Sequence, residues 1–231
     1  MGLRDAMMRP SRSTTMLPLA LSDTAQPLRV LAIGAHADDL EIGAGCTLQR
    51  LARLPRADVR CVVATGDEER NAEATASARA WLGEGVQVDT WGLPVSLLPT
   101  RFEEVKQRLW ALARDHEPDL VLTHAIHDRH QDHRVLGEVT WQTFRAHLIL
   151  EYEIPKFEGD LGTPSLYVPL SAAEVEAKCQ HLLQAFPSQA QRSWFTPETF
   201  KALARLRGVE CAAAEGYAEA FHSRKATLTL S

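Results

Sequence analysis

The chain has little that would staple it with sulfur, hold it in a bilayer or let it grip a polynucleotide. Its four cysteines, Cys46, Cys61, Cys179 and Cys211, are far apart and form no C-x-x-C pair, which argues against a zinc ribbon or a disulfide framework. They read as reduced and buried. The short apolar piece MLPLALS near the N-terminus cannot span a bilayer and carries no convincing signal-peptide cleavage site. Basic residues form no cluster: 25 Lys and Arg lie scattered among 30 Asp and Glu, for a formal net charge of −5. The footprint of a nucleic-acid binder is therefore missing. No G-x-G-x-x-G follows the first apolar run, and no G-x-S-x-G is present, so dinucleotide-binding and serine-elbow readings are poor. These absences leave a cytoplasmic protein with a small-molecule partner.

What is present is a regular alternation. The 231 residues, 45% apolar and 24% charged, suffice for one substantial core. Residues 1–26 mix Met, Arg, Ser, Thr and Pro without period and read as a flexible leader, with a single α/β domain over 27–231. Apolar runs LRVLAIG, DVRCVVAT, VQVDTWG, PDLVLTH and HLILEY read as strands. Between them CTLQRLARL, EATASARAWLG, FEEVKQRLWALARD and RVLGEVTWQTFRA read as helices. Near-continuous apolar strands joined by helices imply a Rossmann-like, mostly parallel sheet with helices on both faces. After Pro155 a Gly- and Pro-bearing connection, KFEGDLGTPSLYVP, leads to helical stretches near Ser171 to Ala185 and Pro197 to Arg207, an appended C-terminal helical part. Trp110, Trp141 and Phe144 have helical spacing and read as core.

Two stretches break this pattern with chemistry. AIGAHADDLEIGAG, from Ala32, runs a strand into a histidine and adjacent acids, and THAIHDRHQDH, from Thr123, does the same after a later strand. Open α/β sheets bind ligands at the carboxyl ends of their strands. His36 and Asp39, three apart, can face one point, and His133 completes a set of two imidazoles and one carboxylate. That donor set suits zinc with a position left open for water. Taken singly, Asp38 or Asp39 would be a helix N-cap, and His130 and His133 ordinary histidines; together they read as a site.

AHADDLEIGAG and HDRHQDH resemble the two signature motifs of the PIG-L/LmbE-like family of zinc-dependent N-deacetylases, the first with Ala37 for the usual proline and Leu40 where an acid usually follows, Glu41 standing one place later. The resemblance implies one Zn2+ per chain on His36, Asp39 and His133, and Asp38 as general base. It also implies His130 as acid or oxyanion stabiliser, oriented by Asp132, and Arg70 near the acyl or sugar group. Arg70 alone, in DEERNAE, would be a solvated helix face. Asp128 can be a partner behind the ligands or a turn residue. The implied substrate is an N-acylated amino sugar or glycoconjugate, and the implied assembly a homo-oligomer, trimer or hexamer. Beyond the motifs, Glu151, Tyr152 and Glu153 follow a strand whose carboxyl end should share the metal's side. They are candidates to meet the sugar, or else they pack and cap. Two rival readings use the same residues: a nonheme iron oxygenase with two histidines and a carboxylate, which needs a β-helix of many short strands, and a receiver-like metal-binding module, which has no use for HQDH.

Overall fold

A computed structural model describes residues 27–227. The expected leader, 1–26, lies outside them. In chain order the elements are β1 (Leu28–Gly34), α1 (Asp39–Ala52), β2 (Ala57–Thr65), α2 (Glu68–Leu82), β3 (Gln87–Leu93), α3 (Phe102–Asp115), β4 (Leu120–His124), α4 (Gln131–Thr143) and β5 (Leu148–Tyr152). Then come β6 (Leu166–Leu170), α5 (Ala172–Ala185), α6 (Pro197–Glu210) and β7 (Tyr217–His222). One sheet has the order β3-β2-β1-β4-β5-β7-β6. The first five strands are parallel, and β7 runs antiparallel to both of its neighbours. β1 lies between β2 and β4, so the strand order reverses there and leaves a crevice at the carboxyl ends of β1 and β4. Both chemical motifs begin at those two ends.

The continuous apolar character of β1 follows from helices on both sides. Val30 and Ala32 pack with the α1 and α5 layer, while Leu31 and Ile33 pack with α3 and α4. Trp110 departs from expectation: it is 48% exposed under the Lys106 ammonium, whereas Phe144 is buried. α1 begins at Asp39, seven residues before the expected start, because its first turn is the acidic stretch itself.

α1 is kinked at Ala44, where φ is −144°. The kink frees the Cys46 and Thr47 amides, and the Glu219 carboxylate from β7 accepts both, at 2.9 and 2.7 Å. Lys178 on α5 neutralises Glu219 at 2.8 Å. A strand at the far end of the chain thus caps the second half of the first helix. The approach is close. A Cβ on Gly43 would lie 2.2 Å from the Tyr152 ring. The C-terminal part therefore contributes more than helices: β6 joins the sheet from the stretch read as connection, and β7 from residues beyond the second expected helix, where no strand is expected. Their signal is weak because β6, LYVPL, is an edge strand holding Pro169, and β7, YAEAFH, carries a buried acid.

Candidate metal centre and its cleft

β1 ends at Gly34 and α1 starts at Asp39, so His36 occupies the turn and Asp39 the first helical position. β4 ends at His124, and α4 starts at Gln131, which puts Asp132 and His133 in a first turn where the helix dipole favours an acid. Across the crevice three atoms converge. His36 Nδ1 lies 3.3 Å from Asp39 Oδ2 and 3.1 Å from His133 Nε2, and the last two are 3.5 Å apart. Metal bonds of about 2.0–2.1 Å in tetrahedral array place neighbouring donor atoms about 3.3 Å apart. The triangle fits a zinc-sized ion with one position open.

Each imidazole is held from behind. His36 Nε2 meets Asp132 Oδ2 at 3.3 Å, and His133 Nδ1 meets Asp128 Oδ2 at 2.9 Å, an arrangement that leaves the opposite nitrogen for a metal. Burial and the neighbouring His124 push His133 down to about 4, so it is neutral and ready to ligate. Burial also disfavours a charged His36, but Asp39 and Asp132 outweigh it and push the ring up to about 10. A divalent cation between the same groups would displace that proton. Burial opposes the charge of Asp39 too, yet His133, His124 and His36 hold it well below the usual carboxylate range.

Asp38 precedes the helix without capping it by its side chain. Its carboxylate instead accepts from Arg70 Nη2 at 2.8 Å. Burial and Asp39 push its pKa up, against Arg70 and His36. Arg70 is placed by the Asp67 cap of α2 and also donates to Glu73 at 2.6 Å, and Glu73 accepts from the Ser188 amide at 2.9 Å. Arg70 thus faces the cleft and not solvent. His130 caps α4, its Nδ1 accepting the Asp132 amide at 3.3 Å. The Asp132 carboxylate does not orient His130, contrary to expectation: it accepts from Ser96 N at 2.6 Å and Leu98 N at 3.0 Å and holds His36.

Glu151, Tyr152 and Glu153 are turned inward, because β5 is an interior strand with both faces covered. Tyr152 is 0% exposed and donates to Ile33 O at 2.7 Å. Glu153 is gripped by Arg207 at 2.9 Å on each oxygen, and Glu151 accepts from Ile126 N and Arg224. None of the three lines the cleft. His124, unremarked in the sequence, is fully buried and stacks on His133 at 3.9 Å; its Nε2 accepts the Ala35 amide. The cleft of about 470 Å³ is lined by His36, Asp38, Asp39, Arg70, His130 and His133 at its floor, with Lys156 and side chains of three loops above them.

Fold and site define a mostly parallel α/β protein with a His–Asp–His centre at the point where its strand order reverses, and no described helix is long and apolar enough to cross a membrane. A family model, PIG-L (GlcNAc-PI de-N-acetylase), matches residues 31–144, and over that segment the chain belongs to the PIG-L/LmbE-like family. No curated protein matches the chain. Among solved structures it resembles a 4-carboxy-2-hydroxymuconate hydratase from Pseudomonas putida KT2440, at 19% identity over 88% of this chain and 99% of that one, with a TM-score of 0.69. It also resembles the N,N'-diacetylchitobiose deacetylase of Pyrococcus horikoshii, at 21% identity, 84% and 83% coverage and a TM-score of 0.66. The zinc-inhibited form of teicoplanin deacetylase Orf2 matches at 15% identity, 84% and 97% coverage and 0.64. At such identities the likeness is one of fold, and a hydratase stands among the deacetylases, so the reaction must be argued from the site.

Proposed function

We propose that the protein is a cytoplasmic, zinc-dependent N-deacetylase acting on an N-acetylated amino sugar or sugar conjugate. The observation that carries the reading is the donor triangle of 3.1–3.5 Å with a buried carboxylate, Asp38, beside it and outside the donor set. His36, Asp39 and His133 would hold the ion. Bound there, a zinc ion polarises an amide carbonyl and lowers the pKa of water to about 7. Asp38, pushed up in pKa and steadied by Arg70, takes the proton from the attacking water. His130, lining the cleft with Nδ1 accepting the Asp132 amide, carries its proton on Nε2 and donates that hydrogen bond to the oxyanion, while Asp38 returns the proton it took from water to the leaving amine. Arg70 orients Asp38 and offers a second donor to the carbonyl side. The family match supports this reading, as does an α/β fold in place of the β-helix that an iron oxygenase needs.

The test is metal analysis joined to acetate release from a panel of N-acetylated sugars. We expect about one zinc per chain and release from at least one sugar. Asp38→Ala should keep the metal and lose roughly 10²-fold or more in turnover. A zinc-loaded Asp38→Ala enzyme with wild-type turnover would remove Asp38 from the reaction, and a chain that binds no divalent metal would sink the whole reading.

A further inference from the structure

Three loops form the mouth of the cleft, and each carries a large apolar side chain there: Val95 after β3, Phe157 after β5 and Trp194 before α6. Phe157 is 82% exposed and Val95 51%. Apolar surface left in water beside a polar floor marks a place where something apolar binds.

The loops are braced, and each brace ends on a group that also holds a residue of the site. Lys156, its side chain 10% exposed, donates to Asp160 at 2.7 Å and to Asp128 at 2.8 Å, and Asp128 holds His133. The Ser96 and Leu98 amides sit on Asp132, which holds His36. Ser188 sits on Glu73, which holds Arg70 and through it Asp38. Trp194 also packs edge-on to Phe195 at 5.5 Å. The rim is therefore preorganised, which lowers the ordering cost of a ligand.

The cleft floor beside the donor triangle is lined instead by small or polar residues, Ala37, Thr65 and Gly66, room for a short acyl group. Arg192 and Glu158, both exposed and both lining the cleft, have opposite charge. We infer that the substrate is an N-acetylated amino sugar bearing a flat apolar aglycone, gripped at the mouth by Val95, Phe157 and Trp194. The inference rests on the deacetylase reading. A flat group fits better than an extended chain because two of the three rim side chains, Phe157 and Trp194, are aromatic and offer ring faces for stacking.

The test compares N-acetylglucosamine with its 4-methylumbelliferyl and octyl glycosides on the zinc-loaded protein. The aryl glycoside should have a KM roughly tenfold below that of the free sugar at similar kcat, the effect of burying about one aromatic ring. Phe157→Ser and Trp194→Ala should erase most of that advantage, read as the ratio of the aryl glycoside's KM to the free sugar's KM within each variant. Phe157 is too exposed for its loss to unfold the chain. Equal KM values, an aryl advantage that survives both variants, or a preference for octyl would overturn the proposal. So would a change of assembly mass in Phe157→Ser with KM unchanged, which would assign the rim to a contact between copies. Fluorescence binding of the aryl glycoside separates the two layers. Binding that Phe157→Ser weakens, without hydrolysis, keeps the rim and sinks the deacetylase. Hydrolysis without aryl preference does the reverse, and failure of the aryl glycoside to bind sinks the rim alone.

Discussion

Replacing Asp132 tests the structure against the simplest reading of the motif. Its buried carboxylate accepts from Ser96 N at 2.6 Å, Leu98 N at 3.0 Å and His36 Nε2 at 3.3 Å. In Asp132→Ala two backbone amides and one imidazole lose their acceptor, at about 1–3 kcal/mol for each donor left buried and unpaired. Ser96, held at a φ of 63°, can then relax and return about 1 kcal/mol. Ser96 is exposed and His36 half-buried, so their donors regain water and count at about 1 kcal/mol each, and with the buried Leu98 amide the net is a destabilisation of about 2–4 kcal/mol. Asp132→Asn is milder. Its carbonyl can stay on Ser96 and His36 while the amide group faces Leu98 N–H, so one hydrogen bond is lost, at about 1–3 kcal/mol. Because His36 loses the group that fixes its ring in the alanine variant, metal affinity should fall roughly 10- to 100-fold. Urea melts of the metal-free protein give the first quantity and chelator competition the second. If Asp132→Ala bound metal as tightly as the wild type and lost only turnover, Asp132 would serve His130, as the motif alone suggests, and the geometric argument would be wrong.

Other substitutions probe separate parts of the same logic. Gly43→Ala drives a methyl into the Tyr152 ring and should cost about 1–3 kcal/mol in a denaturant melt; an unchanged midpoint would contradict the close approach of α1 to β5. Glu153→Gln breaks the buried pair with Arg207 and should destabilise by about 3–5 kcal/mol while folded protein keeps its metal and its ranking of substrates, whereas an altered ranking would return Glu153 to the cleft. The Arg50 guanidinium beside Glu174 holds that carboxyl down to about 2, against a small opposing effect of burial. A depressed folded pKa contributes stability above the unfolded value of about 4.3 that is lost as pH falls towards 2. Glu174→Gln should therefore cost under about 1 kcal/mol at pH 7, the pair being largely exposed, and nothing near pH 2. An equal gap at both pH values would remove the ion pair from the account.

The five parallel strands were legible because burial on both faces leaves a continuous apolar run, and the donor triangle because His36 lies in the turn after β1 and Asp39 and His133 in the first turns of the helices that follow β1 and β4. What the chain hid was direction. Tyr152 and Glu153 follow the right strand on the right side, but β7 closes the free edge of β5, Tyr152 packs against Gly43 of α1 and Arg207 of α6 holds Glu153, neighbours that sequence spacing does not relate. Asp132 lies next to His133 in sequence and two residues from His130, yet its carboxylate serves His36, 96 residues away. The braces through Lys156 and Ser188 were invisible for the same reason, since each joins loops that sequence spacing does not relate. β6 and β7 went unread because a proline and a buried acid break the patterns by which strands are recognised.

The position of β7 has a consequence for the order in which the molecule can be assembled. β6 is made earlier but hydrogen-bonds only to β7, and β7 alone joins it to β5. During synthesis the first five strands and all three donor residues are available by Tyr152, while β6 has no strand to pair with until Tyr217–His222 emerges. The same strand delivers Glu219 to the kink of α1, so the last of the described strands completes the first of the described helices. A nascent chain halted before Tyr217 should hold the donor triangle on an unbraced scaffold, and protease cleavage within 153–210 of such a chain, set against resistance of the finished protein, would show the last strand acting as the latch.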